Sequence, residues 1–93
     1  MSIDILNMEI EDIVIGKKEL KEVGILRLSQ ITLELEDIIN KSITDVENSI
    51  KEYKFNRMPS NIVSIKENIR EMNKAKCVRH RWNYWINEIL SYH

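Results

Sequence analysis

The sequence predicts an all-α protein, a small helical bundle built on a long antiparallel helical hairpin. Three observations carry this expectation. Apolar residues recur at three- and four-residue spacing over long stretches. Gly16, Gly24 and Pro59 are the only glycines and the only proline, so little punctuation interrupts those stretches. The composition, 43% hydrophobic and 31% charged, supplies apolar material for a core and charge for a solvated exterior. A single helical domain over residues 1–93 accounts for the length.

The clearest element runs from Leu28 to Tyr53. Leu28, Ile31, Leu35, Ile38, Ile39, Ser42, Val46, Ile50 and Tyr53 fall on one face when each residue advances by about 100°. Such a helix is roughly 40 Å long. Ile31, Leu33 and Leu35 also alternate with polar residues as a strand would, but the helical period explains a far longer run. The segment Asn56-Arg57-Met58-Pro59-Ser60-Asn61 is the best turn. Pro59 disfavours helix at Met58, and Ser60 or Asn61 is placed to cap the next helix. From Ile62 to Tyr92 there is neither glycine nor proline, which predicts a second long helix.

Residues 2–23 are ambiguous. Ile10, Ile13, Val14 and Leu20 suit a helix, Ile3, Ile5, Met8 and Ile10 partly suit a strand, and Gly16 can end either. A helix is favoured. Packed across the hairpin, it completes a bundle of three or four helices. Otherwise two helices bury too little alone, and a second copy completes the core as a homodimer.

The last helix carries an irregularity. Ile62, Ile65, Ile69 and Met72 define one face, whereas Val78, Trp82, Trp85 and Ile89 lie more than a quarter-turn away, with Lys76 and Arg79 standing where the first stripe would continue. Either the helix bends near Asn73 to Lys76 or its second half packs on a different surface.

Charge is divided unevenly. Residues 1–52 hold 6 Lys or Arg against 12 Asp or Glu, and residues 53–93 hold 8 against 3, so the halves attract. Lys66, Arg70, Lys74 and Arg81 share a helical face with Cys77 and Tyr84. Aligned cations neutralise successive phosphates and an aromatic ring stacks on an unpaired base, so Lys66, Arg70, Lys74, Arg79, Arg81 and Tyr84 form a candidate nucleic-acid face. The competing reading pairs this stripe with Glu34, Asp45 and Glu52 of the preceding helix, fixing antiparallel register. Trp82 and Trp85, aligned with Val78 and Ile89, read either as core or as anchors for a protein partner.

Catalytic signals are weak. Cys77 and His80 are three residues apart, but a zinc site needs about four ligands and only His93 remains among histidines and cysteines. A nucleophilic role for Cys77 lacks an orienting group and a glycine-shaped oxyanion loop. The chain has no phosphate-cradling glycine loop, no H-E-x-x-H pair and no G-x-S-x-G elbow. Neither a metal nor any other cofactor is called for, and a non-catalytic protein is expected.

Lys18 to Thr32, with Gly24 in a central turn, faintly resembles a helix-turn-helix, but Glu34, Glu36 and Asp37 would meet phosphate directly after its reading helix. Leu26-Arg27-Leu28-Ser29-Gln30, followed by Glu34-Leu35-Glu36-Asp37, resembles the small two-helix phosphatases that act on sporulation response regulators. That family's pattern places an Asp four residues after its Ser, and here Leu33 stands there, so the activity does not carry over.

No run approaches the roughly 18 to 20 uncharged apolar residues of a membrane span, and the N-terminus lacks a basic region followed by an apolar segment. A cytoplasmic protein without a membrane partner is the expectation, and the single Cys77 fits a reducing compartment. Sixteen isoleucines and nine asparagines against one alanine point to A/T-rich codons, as in many bacterial or phage genomes. The function expected is that of an interaction protein, a regulator, inhibitor or adaptor. It docks Val78, Trp82, Trp85 and Ile89 on a protein partner, with nucleic-acid binding as the alternative.

Overall fold

A computed structural model describes residues 3–16 and 20–91. Apart from short connections these residues are helical, with no strand among them: α1 (Ile3–Val14), α2 (Leu20–Phe55) and α3 (Pro59–Ser91). The segment that sequence left ambiguous is therefore helical over α1. Its stop is local chemistry. Gly16 takes a left-handed φ of 83° and its N–H bonds the Ile13 carbonyl at 3.2 Å, closing the helix end in a conformation that side chains resist. Leu6, Ile10 and Ile13, at spacings of four and three, form the buried face of α1 together with Ile3.

Gly24 interrupts α2 with φ 79° and ψ 152°, so the element is two helical pieces meeting at a kink. A glycine turn was the feature that suggested a helix-turn-helix. The outcome here is a break within one long element, followed by a helix from Ile25 to Phe55.

The expected turn before α3 is present but is wired differently. Residues 56–58 are non-helical and Pro59 is the first residue of α3, a position where its missing N–H costs nothing. Ser60 and Asn61 therefore sit inside the first turn instead of capping it. Asn61 reaches back, its Nδ2 donating to the Asn56 carbonyl at 2.6 Å, which ties the end of α2 to the start of α3.

Cross-links between α2 and α3 pair rising with falling residue numbers, which is the antiparallel pattern. Asn68 bonds Ser49, Arg79 bonds Glu36 at 3.2 Å, and Trp82 bonds Thr32 at 3.0 Å. The molecule is a rod of 53 × 19 × 18 Å. α1 runs parallel to α3, since Asp4 meets Lys74 and Glu11 meets Arg81, and antiparallel to α2. At 1.5 Å per residue its 12 residues cover roughly 18 Å, about a third of the rod.

The core sits where all three helices meet. Leu6, Ile10 and Ile13 of α1, Ile31, Leu35 and Ile39 of α2, and Ala75, Val78 and Trp82 of α3 are all buried. Trp82 is fully enclosed, and its indole N–H is satisfied by Thr32 Oγ1, which itself donates to the Leu28 carbonyl.

This placement explains the rotating stripe. α3 is one continuous helix, so no bend is needed. Its apolar face turns at Lys74 because that is where α1 begins to cover it. Before that point α3 has α2 alone as a neighbour, and after it α3 has two.

Candidate functional site

The residues expected to dock on a partner are largely consumed by this core. Trp82 is 0% exposed and Val78 is 7% exposed, so neither is available to a second molecule in the folded monomer. Trp85 and Ile89 are half-buried. Trp85 stacks on Trp82 with ring centroids 5.3 Å apart and packs against the core. The correction has a physical cause: α1 supplies the partner surface that the rotated stripe requires.

The basic face is split in the same way. Lys74 pairs with Asp4, whose carboxylate raises the ammonium's pKa above its ordinary value of 10.5. Arg81 donates to Asn7 Oδ1 at 2.6 Å and to Glu11 at 3.4 Å, and Arg79 reaches both oxygens of Glu36 at 3.2 Å. The acids meeting this stripe are thus Asp4 and Glu11 of α1 and Glu36 of α2. Of the expected acids, Glu34 accepts from Arg27 at 3.1 Å, and Asp45 meets α3 through its main-chain carbonyl, which accepts from Asn68 at 3.4 Å. Glu52 is exposed and enters no ion pair among the described residues.

Lys66 and Arg70 are exposed, with no ion pair among the described residues. Tyr84 is exposed, and its phenol is held above its usual pKa by a hydrogen bond to Glu88. Lys66, Arg70, Lys74, Arg81 and Tyr84 thus remain on one side of the continuous α3, with Lys74 and Arg81 tied to α1, whereas Arg79 lies on another side, bonded to Glu36 of α2.

Sequence reasoning missed Arg27, the most connected charged side chain described. Its guanidinium grips Glu9 of α1 at 2.5 and 2.7 Å and Glu34 of α2 at 3.1 Å, and Glu9 is the main cause of its raised pKa. A planar fork suits such two-sided recognition. Arg27 stands alone in an apolar and acidic segment, a signal that was readable as a charge needing nearby carboxylates.

Cys77 is exposed in a shallow groove between α1 and α3 bordered by Asn7, Lys74 and Arg81. No group of three or more His, Cys, Asp or Glu side chains is placed to hold a metal among the described residues. No described helix is long and apolar enough to cross a membrane.

Apolar side chains are exposed at both ends: Ile5, Met8, Ile15, Ile25, Leu26 and Leu33 stand on the outer surfaces of the open end, each at least 63% exposed, and a second set lies at the turn end along the α2–α3 pair. On α3, Ile62 (38% exposed), Ile69 (37%) and the half-buried Ile65 share a face, and on α2 Ile50 (38%) shares a face with the half-buried Ile43. Helical spacing puts both rows on the side of the α2–α3 pair opposite α1. On α3, Lys74 and Arg81, which meet α1, and Ile62 and Ile69 flank the α2-facing residues Asn68 and Trp82 on opposite sides. Phe55 (92%) and Met58 (52%) extend this apolar character to the tip. Toward the other end the same side becomes polar, with Glu36, Asn40, Lys76 and His80. The α1 side shows the inverse arrangement. It is apolar under α1 and polar beyond Ile3, where Lys41, Ser42, Asp45, Asn68 and Glu71 line a groove.

No family model, curated protein or solved structure matches this chain, so any account of its function rests on this geometry alone.

Proposed function

We propose that this protein is a non-catalytic interaction protein, a regulator, inhibitor or adaptor, and that it binds a protein partner through the isoleucine face at the turn end of a helical hairpin. The observation that supports the reading is the row Ile50, Ile62 and Ile69, each more than a third exposed on the side that α1 leaves open. Apolar residues repeated on one helical face form the kind of groove into which another amphipathic helix packs. The face moves from the C-terminal aromatic cluster to the turn end because Val78 and Trp82 already have α1 as their partner.

Capture from an extract of the native host, compared between the wild-type chain and the Ile62→Glu/Ile69→Glu variant, tests this. The expected result is a protein retained by the first and lost by the second. Equal retention by both would remove the face from consideration.

The alternative is nucleic-acid binding, supported by exposed Lys66, Arg70 and Tyr84 on α3. Three of its six residues would have to leave Asp4, Glu36 and Glu11 to reach phosphate. It predicts retardation of DNA or RNA at low salt that disappears on charge reversal at Arg70, and an absence of retardation sinks it.

A further inference from the structure

We infer that the isoleucine face at the turn end binds a second copy of this chain, in a two-fold dimer whose helical turns point in opposite directions. The inference rests on the interaction reading above and names its partner.

Its first support is the charge pattern of the face. A two-fold interface sets one patch against itself, so the patch must be complementary to its own reverse. By helical spacing, Glu47 and Lys54 stand seven residues apart on the outer edge of the α2 row, and Ile50 and Lys51 lie midway between them. Reversing the face about that midpoint brings Glu47 opposite the second copy's Lys54, and Lys54 opposite its Glu47. Neither residue has an ion pair among the described residues of its own chain.

The second support is that α3 repeats this symmetry at nearly the same height. Ile62 and Ile69 are also seven apart, with the Ile65–Lys66 step midway. Ser49 stands level with Asn68 and Asn56 with Asn61, which sets Ile50–Lys51 level with Lys66–Glu67, one residue from that midpoint. One two-fold axis therefore passes within about 1.5 Å of both midpoints. The same operation that pairs Glu47 with Lys54 also lays Ile62 on Ile69, twice, with Ile50 and Ile65 beside the axis. Lys66 stands near the axis at the outer margin of the face, where its long chain carries the ammonium out to water.

Third, the ion pairs described within the monomer lie at the other end. They involve Asp4, Glu9, Glu11, Arg27, Glu34, Glu36, Lys74, Arg79 and Arg81, all in the part of the rod that α1 spans. Around the exposed isoleucines the charges are of mixed sign and so do not repel a second copy as a single-sign patch would.

The test is sedimentation equilibrium on the full chain, with helicity followed by circular dichroism. The wild type is expected at twice 11.1 kDa. Ile69→Glu should give a monomer of unchanged helicity. Because every substitution enters a two-fold interface twice, Glu47→Lys should weaken association by about tenfold or more at low salt, and Glu47→Lys/Lys54→Glu should restore it. The charge swap touches only exposed positions, so it decides the matter even if Ile69→Glu fails to fold.

A wild type that stays monomeric up to about 1 mM overturns the inference, as does a dimer indifferent to both Ile69→Glu and Glu47→Lys. In the monomeric case, an Ile62- and Ile69-dependent capture of a host protein leaves the interaction reading standing with a different partner. Loss of both observations ends both.

Discussion

Both ends of the α2–α3 pair are rich in isoleucine, yet they dispose of it differently. At the open end α1 lies across the pair and encloses Ile31, Leu35, Ile39 and Trp82, all at or below 1% exposure. At the turn end there is no third helix among the described residues, and Ile50, Ile62 and Ile69 remain more than a third exposed. Two helices in contact can hide only the strip between them, and a full apolar stripe is wider than that strip. The comparison teaches that the enclosed core belongs to the open end, where apolar residues are exposed only on outer surfaces such as Ile5, Ile25 and Leu33, whereas at the turn end the flank of the α2–α3 contact itself is uncovered. Polar insertions agree with this. The contact at the turn end includes Ser49 bonded to Asn68, a pair that fixes register but contributes little burial.

The largest expected difference between the two ends is in truncations. Trp82→Ala should cost about 3–5 kcal/mol in urea unfolding, because it removes a fully enclosed ring and leaves a cavity. Ile69→Ala should cost about 1 kcal/mol or less, since its side chain is already partly in water. Similar losses at the two sites would dissolve the distinction. Ile10→Ala in α1 comes next, at about 2–4 kcal/mol, and should loosen the open end while leaving the Asn56–Asn61 turn intact. Hydrogen exchange resolved by residue reads this directly, and uniform loss of protection would count against separate roles for the ends.

A smaller effect is expected at Arg27. Its partners are on α1 and α2, and its side chain is 28% exposed, so solvent screens part of the attraction. Arg27→Met should therefore cost about 1 kcal/mol, seen as faster exchange of α1 amides. Smallest is the alkaline response of Lys74. Asp4 raises its pKa in the folded chain, so its contribution is complete below the ordinary value of 10.5 and is lost as pH rises through the raised one. Tryptophan emission should shift slightly over that alkaline range and be flat in Lys74→Met. An identical shift in the variant would assign it to another group.

Much of this was readable in the residues. Helical spacing located α2 and α3, and the stripe that rotates after Met72 marked, without identifying it, the place where a third helix begins to pack. What spacing does not reveal is who supplies the second surface. Val78 and Trp82 present the same pattern whether their neighbour is α1 or another molecule, so spacing alone leaves both the core and the docking reading open. The acid partners of α3 were also misplaced. Glu34 and Glu36 lie about 160° apart round α2, and the apolar period alone does not say which flank of that helix meets α1 and which meets the far edge of α3. The turn was legible from Pro59, whereas the reach of Asn61 back to Asn56 needed the backbone path.

The short turn at 56–58 also sets an order of assembly. Contacts beside it, such as Asn61 with Asn56, join residues five apart, while those of α1 with α3 join residues about seventy apart. Closing a small loop costs little chain entropy and closing a large one costs more, so helix pairing that starts at the turn and zips toward the open end meets the lowest barrier. On that route the isoleucine face is formed before the three-helix core is complete, even though α1 meets α2 across a loop of only 18 residues. A chain emerging in this order offers its sticky surface early, and encounter with a neighbour at that stage competes with its own last folding step.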